Sequence, residues 1–376
     1  MLLDVIGAAK WPLTLVRGRG AQVWDDTGRP YWDLYGGHAV TLIGHADPRW
    51  TSALVEQAEQ LPFWTTMCDV PVRQRAAERL CSFSGMHTVF LVNSGAEANE
   101  AALKIARKAT GKSVIIAMKH GFHGRTMGAL GATWGYRDQH ALAHGPTRFV
   151  PFGDLEALRD ALAPGDVAGV LVEPIQGIAG VVTPPDGYLA GLTALTHVAG
   201  ALVLADEIQC GSGRTGDRVT TRALGGEPDL LTLAKGLGGG FPVSACLMTE
   251  AVAATVGRGE HGTTFGGGPL ASAAIEATLD IIESDGLLET ASALQPRLRD
   301  AVDVPGVVSI RGRGAWLGVV LDRPAGPVAA SLRSHGVLVG TSGDPHTLRL
   351  APPAVFPSDG LRALTAALRD TLTGRA

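Results

Sequence analysis

Lys235 stands almost alone as a polar side chain in its surroundings. The stretch Pro228-Asp229-Leu230-Leu231-Thr232-Leu233-Ala234-Lys235-Gly236-Leu237-Gly238-Gly239-Gly240 is mostly apolar up to the lysine and glycine-rich after it. A lone lysine is ordinarily a surface residue. One delivered by an apolar strand into a glycine turn is desolvated, its pKa falls, and its amine becomes a candidate Schiff-base nucleophile. The second candidate is Asp206-Glu207, two carboxylates directly after the apolar run Leu202–Ala205. Such acids either sit in a solvated loop or face a ligand beyond the carboxyl ends of the strands. Glu173 and Gln176 close the preceding run in a similar way. The third is Asn93-Ser94-Gly95-Ala96-Glu97-Ala98-Asn99-Glu100. Ser94 and Glu97 have the spacing of a capping box. Ser94, Gly95 and Ala96 also put small residues and free N–H groups at a helix start, which is a phosphate site; the two readings are compatible.

Two other motifs carry less. Gly211-Ser212-Gly213-Arg214-Thr215-Gly216 fits G-x-G-x-x-G but does not follow its strand directly and opens no convincing helix. Gly111-Lys112-Ser113 resembles the end of a P-loop but closes a helix instead of opening one.

The elements that must position these residues alternate. Val89–Val92, Val114–Ala117, Ala168–Val172 and Ala201–Ala205 read as short buried strands, with helical patterns over Ala96–Lys108 and Tyr188–Ala199 between them. Ala98, Ala101, Ala102, Ile105 and Ala109 share one face of the first helix. Repeated strand–helix–strand units predict an α/β fold: a mostly parallel sheet covered by helices. Before it, Asp25-Asp26-Thr27-Gly28 marks a hairpin, and a helix starts at Asp47-Pro48. After it, a helix over Ala271–Ser284, strands at Val307–Arg311, Leu317–Leu321 and Thr347–Leu350, and a closing helix at Ser358–Leu372 predict a smaller α+β domain. The expected division is 1–45, an N-terminal segment packing with the small domain; 46–260, the large domain; and 261–376, the C-terminal small domain.

Composition bounds the function. With 376 residues, 45% hydrophobic, the chain can bury a large core. Charged residues are 18%, below the roughly 25% usual for soluble domains, and subunit burial is one explanation. A net charge of −4 carries no global nucleic-acid footprint. No apolar run approaches the ~18 residues of a membrane span. The start Met1-Leu2-Leu3-Asp4 has no basic stretch, so no secretory signal is expected. Cys68, Cys81, Cys210 and Cys246 are scattered, giving no zinc pattern and no disulfide framework, and a reduced cytoplasm is expected.

A phosphate-binding helix start, an acid at a strand end and a desolvated lysine make up the equipment for pyridoxal 5′-phosphate (PLP). At this point the chain resembles the class III, fold-type-I, PLP-dependent aminotransferases, in the acetylornithine/ornithine aminotransferase branch. The motifs are Asn-Ser-Gly-Ala-Glu-Ala-Asn-Glu at 93–100, Phe-His-Gly-Arg-Thr at 122–126, Glu-Pro-Ile-Gln-Gly at 173–177, Asp-Glu-Ile-Gln at 206–209, the lysine segment at 228–240 and His-Gly-Thr-Thr-Phe-Gly-Gly at 261–267. The likeness runs from Trp24 to Pro353.

The resemblance implies roles. Lys235 would hold PLP as a Schiff base and later shuttle the proton between substrate Cα and cofactor C4′. Asp206 would pair with the pyridinium nitrogen, and Gln209 would hydrogen-bond the ring 3′-oxygen. Phe122 would stack on the ring, with His123 and Glu173 in the same cofactor site. Gly95 and Ala96 would bind phosphate beside Ser94, and Thr264 would complete that site from the other subunit of a homodimer with shared active sites. Arg125 would hold a distant substrate carboxylate and Arg349 the α-carboxylate of glutamate or 2-oxoglutarate. His38 is either a substrate contact or a structural histidine. The implied reaction is ping-pong transfer, through pyridoxamine phosphate, of an amino group from an N-acylornithine-like or other ω-amino substrate to 2-oxoglutarate. The alternative is a PLP-dependent decarboxylase, epimerase or specialised-metabolism enzyme on the same fold. One departure bears on both: Gln176-Gly177-Ile178-Ala179-Gly180 places Ile178 where relatives carry the glutamate that masks the arginine matching Arg349.

Overall fold

The computed structural model describes residues 10–136 and 145–374; the start at Met1–Asp4 lies outside them. The strands are β1 (Leu15–Arg19), β2 (Gln22–Asp25), β3 (Pro30–Asp33), β4 (Thr88–Val92), β5 (Val114–Met118), β6 (Thr147–Val150), β7 (Val167–Val172), β8 (Leu202–Asp206), β9 (Leu230–Leu233), β10 (Ser244–Met248), β11 (Val307–Arg313), β12 (Trp316–Leu321), β13 (Val337–Leu338), β14 (Gly340–Thr341) and β15 (Thr347–Leu350). Among the described residues, β4 to β10 form one sheet in the order β4-β10-β9-β8-β7-β5-β6.

β5 and β7 are buried at every position, which explains why they read as unbroken apolar runs rather than alternating ones. The helix Gly95–Thr110 covers one face, packing Ala101, Ala102 and Ile105 against Leu171 and Leu204. Leu158, Tyr188 and Leu192 cover the other, against Ile116, Val170 and Val203. The alanine stripe lets the helix lie close to the sheet. Ala109 itself is only half-buried, and Leu103 and Ala106 extend the buried face instead.

β5 to β9 run parallel, whereas β10 is antiparallel to both β9 and β4. The reversal has a simple cause. The link from β9 to β10 holds only the short turn Lys235–Gly238, too little chain for a parallel crossover. β4 therefore points the same way as β5, β7, β8 and β9. The carboxyl ends of these strands share an edge, and Ser94, Phe122, Glu173, Asp206 and Lys235 follow from them.

β11, β12, β15 and β14 form an antiparallel sheet. The helices Leu287–Val302, Ala325–Ser334 and Ser358–Thr373 join its core through Leu294, Leu298, Leu332, Leu364 and Leu368. The first two were not expected from the sequence; Pro296 interrupts the pattern of the first. The Asp25–Arg29 hairpin turn forms with Asp25 accepting from Thr27 and Arg29. β3 then pairs in parallel with β13, Trp32 opposite Val337, and so ties the N-terminal strands to the C-terminal part.

The two carboxylates after β8 separate in role. Glu207 is 1% exposed and accepts from Thr220 N (2.8 Å), Thr221 N (2.7 Å) and Thr221 Oγ1 (2.7 Å). It closes the loop containing the G-x-G-x-x-G match, which leads only into the one-turn helix Thr220–Ala223, while Gly111 ends the Gly95–Thr110 helix at φ +68°. Glu207→Ala leaves three buried donors unpaired and should cost about 3 kcal/mol in unfolding free energy. Chemical denaturation measures it; a loss below about 1 kcal/mol would mean that these donors find other partners.

Candidate active site

The shared strand edge opens into a cavity of about 620 Å³. Lys235 enters it directly after β9, at φ +47°, a left-handed conformation that costs a non-glycine residue on the order of 1 kcal/mol and places an otherwise buried strand's next side chain in the cavity. Burial pulls the Lys235 ammonium pKa down. The carboxylates of Asp206 and Glu173 pull it up, and Arg349 adds to the fall.

Asp206, the last residue of β8, is 3% exposed and lines the same cavity. Its Oδ2 accepts from His123 Nδ1 at 2.7 Å and from Asn99 Nδ2 at 2.8 Å, and its Oδ1 accepts from Ile208 N at 3.1 Å. Thr232 donates to Asn99 Oδ1 at 2.9 Å, which fixes the amide's orientation. The bond to Asp206 puts a proton on His123 Nδ1. His123 Nε2 is buried and without a partner among the described residues.

Glu173 follows β7 and is buried. Its Oε1 accepts from Phe122 N at 2.8 Å and its Oε2 from Gly177 N at 3.0 Å, so it holds two cavity loops. Burial pushes its pKa up to about 7, with His123 opposing and Asp206 adding to the rise. The Phe122 ring lines the cavity and meets Tyr136 edge-on at 5.5 Å. Gln209 also lines it and donates to His38 O at 3.3 Å; a Cβ at Gly177 would fall 1.7 Å from Gln209 Oε1 and so displace that amide.

At the other end of the cavity the capping box forms as read. Ser94 Oγ accepts from Glu97 N, and Glu97 accepts from Ser94 N at 2.7 Å. Among the described residues, no acceptor partners the N–H groups of Gly95 and Ala96, which line the cavity at the start of a 16-residue helix. Two unpaired donors and a helix dipole form an anion cradle. Thr264 is exposed and lies outside the cavity of its own chain.

The two arginines differ. Arg125 is exposed at the cavity mouth, its Cζ 5.1 Å from the Tyr136 ring. Arg349, on β15, is 7% exposed and donates from Nε to Thr341 O at 2.7 Å. It stands behind the lining residues. Among the described residues no carboxylate lies within ion-pair distance of it, and burial pulls its pKa down. Ile178 lines the cavity, and its carbonyl accepts from Gly343 N at 2.7 Å. His38 lines it at φ +66° with Nε2 2.5 Å from Tyr35 Oη; partial burial, then Arg349 and Lys235, hold its pKa down to about 4, so it is neutral.

Sequence reasoning missed Asn99, Tyr35, Tyr136 and Ile208. Asn99 left a trace: a poor helix former one residue from the alanine stripe, which suggests a tertiary hydrogen bond. The others lay within or beside motifs already singled out but had no spacing of their own.

The sequence pattern of the class-III aminotransferases matches residues 6–372. The acetylornithine aminotransferase of Methanosarcina mazei is 41% identical over 93% of this chain and 89% of its own length. The solved ornithine aminotransferase of Toxoplasma gondii superposes with a TM-score of 0.92 at 31% identity, covering 99% of this chain and 92% of its own. The N-acetylornithine aminotransferase of Stenotrophomonas maltophilia gives 0.86 at 35%, covering 100% of both. The chain belongs to the class-III aminotransferases. The enzyme's cofactor is pyridoxal 5′-phosphate.

The cavity fits that group: unpaired donors for its phosphate, a buried carboxylate for its ring nitrogen, an aromatic face and a desolvated amine. Borohydride treatment of the holoenzyme should bleach the visible cofactor band and leave the label on the peptide carrying Lys235. A label elsewhere would move the attachment. A second expectation comes from Glu173. Its pKa is 4.5 when unfolded and about 7 in the fold, so between those values the folded chain binds more protons than the unfolded one. The stability of the cofactor-free protein should therefore fall as pH rises through that window and level off above it. Glu173→Gln should flatten this part of the melting-temperature profile; an unchanged slope would place the titration elsewhere.

Proposed function

We propose that the enzyme transfers an amino group from an N-acylornithine-like or other ω-amino substrate to 2-oxoglutarate in two ping-pong half-reactions, in the cytoplasm, as a homodimer with shared active sites. The observation that carries this reading is the pair of guanidinium groups around one reactive amine. Arg125 waits at the mouth, and Arg349 is buried without a carboxylate of its own. A substrate with a carboxylate beside or distant from its amine can be held in either orientation, and a planar fork suits both. The acetylornithine aminotransferases among the relatives support the substrate class. They give no support to the decarboxylase or epimerase alternative.

When bound, PLP supplies the electron sink and carries the amino group between half-reactions. The chain supplies the rest. Gly95 and Ala96 would donate to the phosphate beside Ser94, and Thr264 of a second copy would complete that site. Phe122, on the cavity wall, would cover one ring face, and Gln209 would hydrogen-bond the 3′-oxygen. Asp206, oriented by His123, Asn99 and the Ile208 N–H, would accept from the protonated ring nitrogen. Lys235, its pKa lowered by burial, takes the proton from the substrate Cα once its amine is free.

Ile178 sets the selectivity. It cannot form an ion pair, so Arg349 stays open to a carboxylate in both half-reactions. Glutamate should be a good donor, and ω-over-α discrimination weaker than where a glutamate stands at this position. Kinetics over a panel of α- and ω-amino acids with 2-oxoglutarate test the reading. Ile178→Glu should raise the glutamate KM about tenfold or more and sharpen ω selectivity. Unchanged glutamate kinetics would remove Arg349 from this role.

A further inference from the structure

The stretch Gly211–Gly216, discounted from sequence as a nucleotide cradle, encloses a buried cation. Arg214 is 1% exposed. Its Nη1 donates to the carbonyls of Pro352 and Ala315 (the latter at 3.3 Å), and its Nη2 to that of Ala39 at 3.3 Å. Its own carbonyl accepts from Ala315 N at 3.0 Å. Nε is buried without a partner among the described residues. A buried charge is costly, and here carbonyl dipoles from three separate segments offset that cost, together with the more distant charge of Asp33. A planar guanidinium carries its donors on separate nitrogens and so reaches acceptors on both sides of the seam, whereas an ammonium gathers its three donors on one nitrogen.

The glycines of the stretch serve this packing. A Cβ on Gly211 would lie 2.5 Å from Glu207 O, and one on Gly216 would lie 2.0 Å from Ser292 Oγ. The loop is filled by protein, so no phosphate fits in it.

The three carbonyls share a location. Ala39 follows His38, which lines the cavity. Pro352 lies just beyond Arg349. Ala315 leads into β12, where Gly318 pairs with Arg349. The same seam is closed by Ala351 N donating to Leu34 O at 2.7 Å and Ala354 N to Leu42 O at 2.9 Å. It is tight: Gly36, at φ +61°, would bring a Cβ to 2.3 Å from Ala351 O. Arg214 is thus a side chain bonded to both edges of the seam between the His38 loop and the end of the Arg349 strand.

We infer that Arg214 is a positioning residue for substrate carboxylates, locking the His38 loop against the end of β15 so that Arg349 meets the carboxylate in a fixed place. Arg214 lies outside the cavity lining and acts through its neighbours. The inference rests on the proposed role of Arg349 as a carboxylate site.

The test compares holoenzymes carrying Arg214→Lys, Arg214→Met, Gly36→Ala and Arg349→Met. The readouts are glutamate KM and kcat, calorimetric binding of glutarate (an unreactive dicarboxylate), the visible cofactor band and the melting temperature. Each Arg214 variant should weaken glutarate and raise the glutamate KM about tenfold or more, with kcat and the cofactor band little changed. Gly36→Ala disturbs the seam with the charge intact and should reproduce that selective loss, even if Arg214→Met fails to fold. Lower melting temperatures with unchanged glutarate binding in Arg214→Lys and Gly36→Ala would make Arg214 merely structural and overturn the inference. Unchanged glutarate binding in Arg349→Met would instead overturn the role of Arg349, and the inference with it.

Discussion

Asp206 Oδ2 accepts two hydrogen bonds from separate parts of the chain, which are also joined by Asn99 Nδ2 donating to His123 O at 2.8 Å. His123 brings the loop after β5, and Asn99 brings the helix whose first turn forms the anion cradle. Asn99 in turn is held by Thr232 of β9, the strand that delivers Lys235. One carboxylate oxygen therefore fixes the cradle, the aromatic loop and the lysine relative to one another. A buried carboxylate must be fully hydrogen-bonded, and this requirement makes the arrangement rigid.

Around that anchor the site is balanced by charge. Burial alone would push Lys235, Arg349 and His38 toward neutrality and Glu173 toward protonation. The groups compensate one another in part: the carboxylates support the Lys235 ammonium, and the arginine opposes it. The net effect at Lys235 is a fall in pKa, with burial the largest cause. Among the described residues no carboxylate lies within ion-pair distance of Arg349, and the nearby cavity wall includes the apolar Ile178. In the proposed function, a substrate carboxylate would offset the cost of leaving that guanidinium buried and unpaired.

Tight turns carry much of this. Lys235 and His38 both adopt left-handed backbone conformations that only surrounding structure can hold. Gly177 makes room for Gln209, and Gly36 for Ala351.

Much of this was legible in the amino-acid order. Strands buried on both faces must be continuous apolar runs, so β5, β7 and β8 were visible, as was the capping box, whose partners lie within one helical turn. Lys235 was visible because a cation in apolar and glycine surroundings has few innocent explanations. Spacing alone could not separate Asp206 from Glu207; only the family resemblance singled out Asp206. Neighbouring residues at a strand end point to opposite sides, and only the packed sheet decides which side is the cavity and which the Thr220–Thr221 backbone. Nor could it supply the partners of Asp206, which lie 83 and 107 residues away, or show that Arg214 reaches carbonyls 101, 138 and 175 residues distant. Local spacing encodes what one turn or one strand can satisfy by itself; a buried charge needs donors or acceptors from several directions at once, and only the folded chain brings these together.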